Sequence, residues 1–441
     1  MSVKNLSGSA GVLYEDRRDF YIDPQVVKEL WTDVTPFTTV ISNKESRSGL
    51  ADPVFKMFEH RNPWQKQSVS IKYASVTPAV GTAIALTGVE SPVGLEALPA
   101  ANKLAESMNG LEVEWTHASG KRCIGVLSGG GSTGSPKLTP VYIPDSPGAA
   151  ANSTAIVASV VGNAHAEGSH SPEAWQDELQ VVFNSCQIFK TPIEITGTLY
   201  EAALRGEKNE LARLRKQKAQ EHKIQKERAF LFGGNRGTGM GSDSFQDTGI
   251  SISGFGNGGK IRTTMGIITA LEKYGDSSSS SDAQNVFASG DIDSYGEFID
   301  AMEKVFQYVP SSGVKRAFVG AGALGYWSKQ GSGVTDSWAK NTGWTVNIGD
   351  LKRDKLGFNY RTLETPHGML QLIPAPAMRG DYNKKMLIVD DDNLFHAAYR
   401  RPKFQANIKK DNAYDGVKDQ YFSDEGIGVS LIESHSLMTT P

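Results

Sequence analysis

Residues 184–234 read NSCQIFKTPIEITGTLYEAALRGEKNELARLRKQKAQEHKIQKERAFLFGG, and their character changes once, near the middle. The first part is extended, with Ile193 and Ile195 alternating against polar neighbours in the period-2 pattern of a half-buried strand. From Leu199 to Phe232 follows the longest helical signal in the chain, 34 residues. Unbroken, that is about 50 Å at ~1.5 Å per residue. Leu204, Leu211 and Leu214 make one apolar strip, and nine basic residues stand against five acidic ones, an excess of four positive charges. A helix polar nearly all round is not a core helix. Pairs at i,i+4 account for its charges but not its length, and the strip is too short for a coiled coil. The helix is therefore expected to lie across a surface or to meet other chains.

Downstream, ten of the 27 residues from Gly233 to Gly259 are glycine, which predicts loop with one short strand. Within it, "GFGNGGK" imitates a phosphate-binding loop: Gly254, Gly256 and Gly259 fit G-x-G-x-x-G, and Lys260 follows. A nucleotide hydrolase would use Lys260 together with Asp390, which follows the four apolar residues of the Walker-B-like "MLIVDDD". The position after the lysine, however, is Ile261, which cannot ligate Mg²⁺. "DIDSYGEF" lacks two of the oxygen ligands of a calcium loop. It reads better as a capping box in which Ser294 caps a helix and Glu297 reaches back. Strands and helices then alternate to about Arg400, predicting an α+β domain with a sheet core. The eight histidines are scattered, no G-x-S-x-G surrounds a serine, and no catalytic residue, cofactor or metal is expected.

Upstream, "FYIDPQVVKELW" and "TPFTTVI" each open a short helix with proline at the first helical position. Between Thr77 and His170, Ala, Gly, Ser, Thr and Pro dominate, with strand-like islands at Leu111–His117 and Lys121–Leu127. These islands favour an ordered β excursion carrying an inserted element over a disordered linker. A further helix is expected from Ser171.

The 441 residues suffice for two or three compact regions. A net charge of −3 is no footprint of a dedicated nucleic-acid binder. Two distant cysteines, Cys123 and Cys186, exclude a disulfide scaffold and a cysteine zinc site. No run approaches the ~18 apolar residues of a membrane span, and the N-terminus has no signal-peptide core.

In their order along the chain these segments resemble the major capsid protein of tailed double-stranded DNA bacteriophages, with the Hong Kong 97-type fold. The resemblance rests on Thr35-Pro36-Phe37, on the extended return followed by the long charged helix, and on its ending "KERAFLFGG". That ending places Glu227 and Arg228 before Ala229, Leu231 and Gly233. It also rests on the C-terminal stretch from "MLIVDDD" onward, and covers roughly 20–76 and 171–440.

The resemblance implies an N-terminal arm with a short helix over 1–50 and an extended β loop over 51–198, with an insertion at about 77–170. A peripheral domain would hold the spine helix and glycine-rich crossing (199–258), followed by an axial domain (259–400) and a C-terminal return to the peripheral domain (401–441). It further implies self-assembly of hexamers and pentamers into an icosahedral head, as procapsid and then mature capsid in the virion, assembled in host cytoplasm. Portal and decoration proteins, non-specific contact with genomic DNA on the inner face, and no membrane partner complete the expectation. Since the chain begins at the arm, a separate scaffolding protein is expected. An encapsulin-type compartment is the alternative within the fold. Gly254, Gly256 and Gly258 would then be joint material between spine helix and axial domain rather than a phosphate cradle.

Overall fold

The computed structural model describes residues 35–42, 50–60, 68–90, 109–117, 119–129, 136–144, 150–170, 179–201, 209–234, 250–251, 260–279, 284–308, 313–327, 352–353, 359–408 and 415–441. The helix α1 (Pro36–Ser42) comes first, then β1 (Val54–Glu59). Next are β2 (Ser68–Val76), β3 (Ile84–Glu90), β4 (Leu111–Thr116), β5 (Arg122–Ser128), β6 (Lys137–Tyr142) and β7 (Ala150–Asn163). After β8 (Gln180–Ser185) and β9 (Gln187–Thr196) come a short helix, α2 (Gly197–Glu201), and the long helix α3 (Glu210–Phe232). The remaining elements are β10 (Ile250–Ser251), β11 (Lys260–Ile261), α4 (Ile267–Tyr274), β12 (Val286–Phe287), α5 (Tyr295–Val305), β13 (Val314–Val319), β14 (Lys352–Arg353), β15 (Asn359–Thr365), β16 (Gly368–Pro374), β17 (Lys385–Val389), β18 (Leu394–Gln405), β19 (Gly416–Val429) and β20 (Ser436–Thr439). The chain divides into two compact units, Phe58–Gln180 and the remainder.

The smaller unit is a closed barrel in the order β2-β3-β6-β5-β4-β7. Closure leaves no free sheet edge. In β4, Leu111, Val113 and Trp115 point inward while Glu112 and Glu114 face out; in β5, Cys123 and Leu127 are inward. Gly125 sits against Trp115: a Cβ there would stand 2.8 Å from the Thr139 carbonyl oxygen and 3.0 Å from the indole ring. The core of the barrel is a small set of side chains, with Tyr73 and Trp115 the largest of them. The unit is wider than the insertion expected at 77–170.

In the larger unit, β12-β20-β17-β13-β16-β15-β14 form a mixed sheet buried on both faces. Leu387 and Val389 of β17 join the core with α4, α1 and the end of α3, whereas Met386 and Ile388 join the core under α5. That double cover is why "MLIV" is continuously apolar. The C-terminal return is split: β19 lies in the sheet β18-β19-β9 beside α3, but β20 pairs with β17 and β12 in the mixed sheet. The capping box stands as read, with the Ser294 amide donating to Glu297 Oε2 (2.9 Å) and the Glu297 amide to Ser294 Oγ (3.3 Å). The helix it opens ends at Val305.

The 34-residue helix is shorter than its sequence pattern: α3 has 23 residues and begins at Glu210. Asn209 ends it on the N-terminal side, its Oδ1 accepting the Ala212 amide at 3.0 Å. Residues 202–208 lie outside the described residues, as do the helices read at 23–31 and from Ser171, and Gly254, Gly256 and Gly258. The glycine-rich crossing is bridged at its base. The Gly266 amide donates to the Gly233 carbonyl (2.8 Å), and Thr263 Oγ1 to the Gly234 carbonyl (2.6 Å). Ile250 pairs with Ile261 and Ser251 with Lys260. The end of α3 therefore meets the start of α4 directly.

Candidate functional site

The long helix carries the most chemistry among the described residues. Leu211, Arg215, His222 and Lys226 recur at helical spacing, and each is held by the sheet beneath. Arg215 reaches Asp419 Oδ2 through Nε (2.9 Å) and Nη2 (2.6 Å). His222 bonds Thr191 Oγ1 (3.0 Å) through Nδ1 and Ser423 Oγ (3.0 Å) through Nε2. Lys226 Nζ lies 3.0 Å from Glu425 Oε2. In β19, Asp419, Ser423 and Glu425 fall on one face because they alternate along the strand. The helix that looked too polar for its own chain thus has polar partners in that chain. The signal was present in "DQYFSDE", whose odd members are the partners, but each partner is some 200 residues from its helix residue.

Burial sets the protonation of this face. His222 is pushed down to about 4, first by burial and then by the nearby Lys226 ammonium. Burial opposes ionisation of Glu425, yet His396 and Lys226 hold its carboxyl below the ordinary value. On the other face of β19, Asp424 Oδ2 receives Arg400 (3.0 Å from Nη2), whose guanidinium stacks 4.4 Å from the Phe422 ring centroid.

Two sequence-singled motifs converge on the opposite side of α3. The amide of Thr38, in the first turn of α1, donates to Glu227 Oε2 at 3.2 Å. Phe37 is fully buried and meets Phe318 edge-on, with centroids 5.1 Å apart. Thr35, Pro36 and Phe37 are thus brought to Glu227, with Pro36 at the first helical position as expected. Glu227 is buried, and burial pushes its carboxyl up to about 7 against the pull of the Thr38 amide and hydroxyl and the Phe37 amide. Arg228, next in sequence, is exposed. Thr35, Ile224, Glu227, Arg228, Pro376, Ala377 and Arg379 line a solvent-open cleft.

The remaining site residues are not brought together with these. Lys260 belongs to the two-residue strand β11. Asp390 uses both carboxylate oxygens locally, accepting from the Asp392 amide (3.1 Å) and from Asn393 Nδ2 (2.9 Å). No cluster of metal-ligating side chains occurs among the described residues. One buried cation escaped notice in the sequence: Lys315 on β13 donates to the carbonyls of Val305 and Ser434, each at 2.8 Å. Burial brings that ammonium down to about 8.

The family model described as SU10 major capsid protein matches residues 24–435. No curated protein matches the sequence. Among solved structures, the capsid of a native GTA particle is 9% identical over 99% of both chains, with a TM-score of 0.46. Microbacterium phage Oxtober96 is 10% identical over 95% of both, with a TM-score of 0.40. The SrpI encapsulin complex from Synechococcus elongatus PCC 7942 is 7% identical over 60% of this chain and 76% of that one, at 0.36. These scores are too low to weigh, and the family match carries the assignment.

Proposed function

This chain belongs to the SU10 major capsid protein family, its copies forming the capsid shell of a phage virion, and we propose that the shell is an icosahedral head of hexamers and pentamers enclosing double-stranded DNA. The observation that supports this most is the extent of the family match, 24–435, which takes in both units. The proposed domain roles follow the resemblance: arm, extended loop, peripheral domain around α3, and axial domain on the seven-stranded sheet. The barrel of Phe58–Gln180 takes the place of the inserted element. Exposed Lys216, Lys223 and Arg228 on α3 supply local positive charge for phosphate contact, which needs no base readout. A scaffolding protein, a portal and a decoration protein are proposed partners. No catalytic role is proposed; Asp390, the acid of the hydrolase reading, is engaged in its own turn.

Expressing the chain alone and with a candidate scaffold, then sizing the products and viewing them by negative stain, tests the proposal. Closed shells of uniform size are expected. Only small species under every condition would sink it, and shells that package protein in place of DNA would favour the encapsulin alternative.

A further inference from the structure

We propose that α5 and the β14–β15 edge of the seven-stranded sheet are the two halves of one contact between copies of this chain, the acidic outer face of α5 in one copy docking on the basic edge of the next, head to tail. The inference rests on the shell reading above, and adds to it which two surfaces meet and by what force.

The apolar residues Phe298, Met302 and Val305 seat α5 in the core and so fix which side faces out. Glu297, Asp300 and Glu303, each three residues from the next, share that outer side and are exposed. With Asp293 just ahead of the cap, four exposed acids stand together, and no exposed base lies among them. The one base of the helix, Lys304, is engaged elsewhere, its Nζ donating to Gln284 Oε1 at 3.0 Å and to the Ser279 carbonyl at 3.1 Å. Gln284 also donates through Nε2 to Asp291 Oδ2 at 3.0 Å. A single side chain two residues before β12 thus ties both ends of α5 beside that strand, which is one edge of the sheet.

The opposite edge has the opposite sign. Lys352 and Arg353 form β14 and are exposed, as is Arg361 on β15. From 352 to 361 the sequence carries four basic residues and one acidic one, Asp354. Neither these three exposed cations nor Asp300 and Glu303 make an ion pair among the described residues. The two edges stand six ladder spacings apart, roughly 29 Å, so the surplus charges do not meet within one copy. A two-fold contact centred on either edge would set like charge on like. A head-to-tail contact sets acid on base at every junction and leaves each copy one edge for the next, which is how a ring closes. Nucleic acid would suit the basic edge but leave the acidic helix face without a partner.

Three full-length variants test this under the conditions in which wild type assembles: Asp300→Lys with Glu303→Lys, Arg353→Glu with Arg361→Glu, and all four changes together. Every replaced side chain is exposed, so the wild-type circular dichroism spectrum is expected throughout. Each two-residue reversal sets like charges face to face and should lower particle yield by ~10-fold or more. The four-residue variant exchanges acid for base on both surfaces and should return to within about 3-fold of wild type, a recovery that a misfolded reversal could not show. Wild-type yield from both two-residue reversals would overturn the inference, as would a four-residue variant that recovers nothing; wild-type shells in the same experiment leave the shell reading intact. If wild type assembles under no condition, the shell reading fails and this one with it.

Discussion

Lys226 and Glu425 form an ion pair at 3.0 Å in which both side chains are buried, one on the long helix and one on β19. It is the last rung of a polar ladder, Arg215–Asp419, His222–Ser423, Lys226–Glu425, that fastens α3 to its sheet. Removing one member of a buried pair strands the other charge, at a cost of about 3–5 kcal/mol. Lys226→Met and Glu425→Gln should each lower the urea midpoint of the unassembled chain. The double variant should recover much of that loss, because no uncompensated charge remains. A double variant as unstable as the sum of the two would show that the pair is not coupled.

Acid should loosen the same face. His222 has a folded pKa near 4 against about 6.5 when unfolded, so between these values the unfolded chain binds more protons. Its contribution is fully present above pH ~6.5 and is lost as pH falls towards 4. Glu227 works the other way: raised to about 7, its contribution is present below pH ~4.5 and is lost as pH rises through 7. Chemical denaturation from pH 7 to 4 should therefore show a weaker acid loss in His222→Gln and a stronger one in Glu227→Gln. Parallel curves for all three proteins would refute both assignments.

The bridge from Gly266 to Gly233 offers a second place for the proposed joint, beside Gly254, Gly256 and Gly258, which lie outside the described residues. A Cβ on residue 266 would stand 2.7 Å from the Gly233 nitrogen and from the Leu231 carbonyl, and one on residue 233 would stand 2.5 Å from the Thr264 oxygen. Gly266→Ala should cost at least ~2 kcal/mol, on the scale of forced overpacking, and should impair shell formation. Gly256→Ala with Gly258→Ala should leave particle yield and expansion near wild type, since the base of their loop is tied by Ile250–Ile261 pairing. Impaired expansion in that pair of variants, with Gly266→Ala unaffected, would return the joint to the loop.

Lys315 should prove structural. Lys315→Met removes a buried ammonium but orphans the Val305 and Ser434 carbonyls, one at the end of α5 and one just before β20. A loss of about 2–4 kcal/mol in thermal or urea unfolding is expected from two unsatisfied acceptors at ~1–3 kcal/mol each, partly offset by relief of the desolvated charge. Unchanged stability would mean that the two carbonyls find other donors.

Residues 58–180, expressed as a fragment, should fold cooperatively. They form a closed barrel with a core of their own, centred on Trp115 and Tyr73. Blue-shifted Trp115 fluorescence and a single unfolding transition would check this, and Gly125→Leu should abolish both. A fragment that unfolds without a transition would count against autonomy.

Local signals carried the reading where partners are near in sequence. Ser294 and Glu297 are three residues apart, and their capping box could be read directly from "DIDSYGEF". Ile261, standing where a phosphate loop needs serine or threonine, is an equally local signal. The length of the long helix was misjudged because charge and propensity continue through Arg205 and Lys208, while the stop is a single side chain, Asn209, bonding Ala212. The ladder under that helix was invisible for a different reason. Asp419 and Glu425 look like ordinary strand polarity until the fold sets them under residues 204 and 199 positions earlier. The islands Leu111–His117 and Lys121–Leu127 marked ordered β structure and coincide with β4 and β5, but closure into a barrel depends on pairings between strands far apart in sequence and has no local signal.

The chain leaves the larger unit along β1 and returns along β8, and these two strands pair. Departure and return therefore lie one ladder spacing apart, about 4.8 Å. Any foreign domain whose termini sit that close is geometrically suited to replace residues between them, because closing so short a gap adds little entropic cost. The coat would then be open to grafting at this ribbon, each copy carrying a chosen module in place of its own barrel.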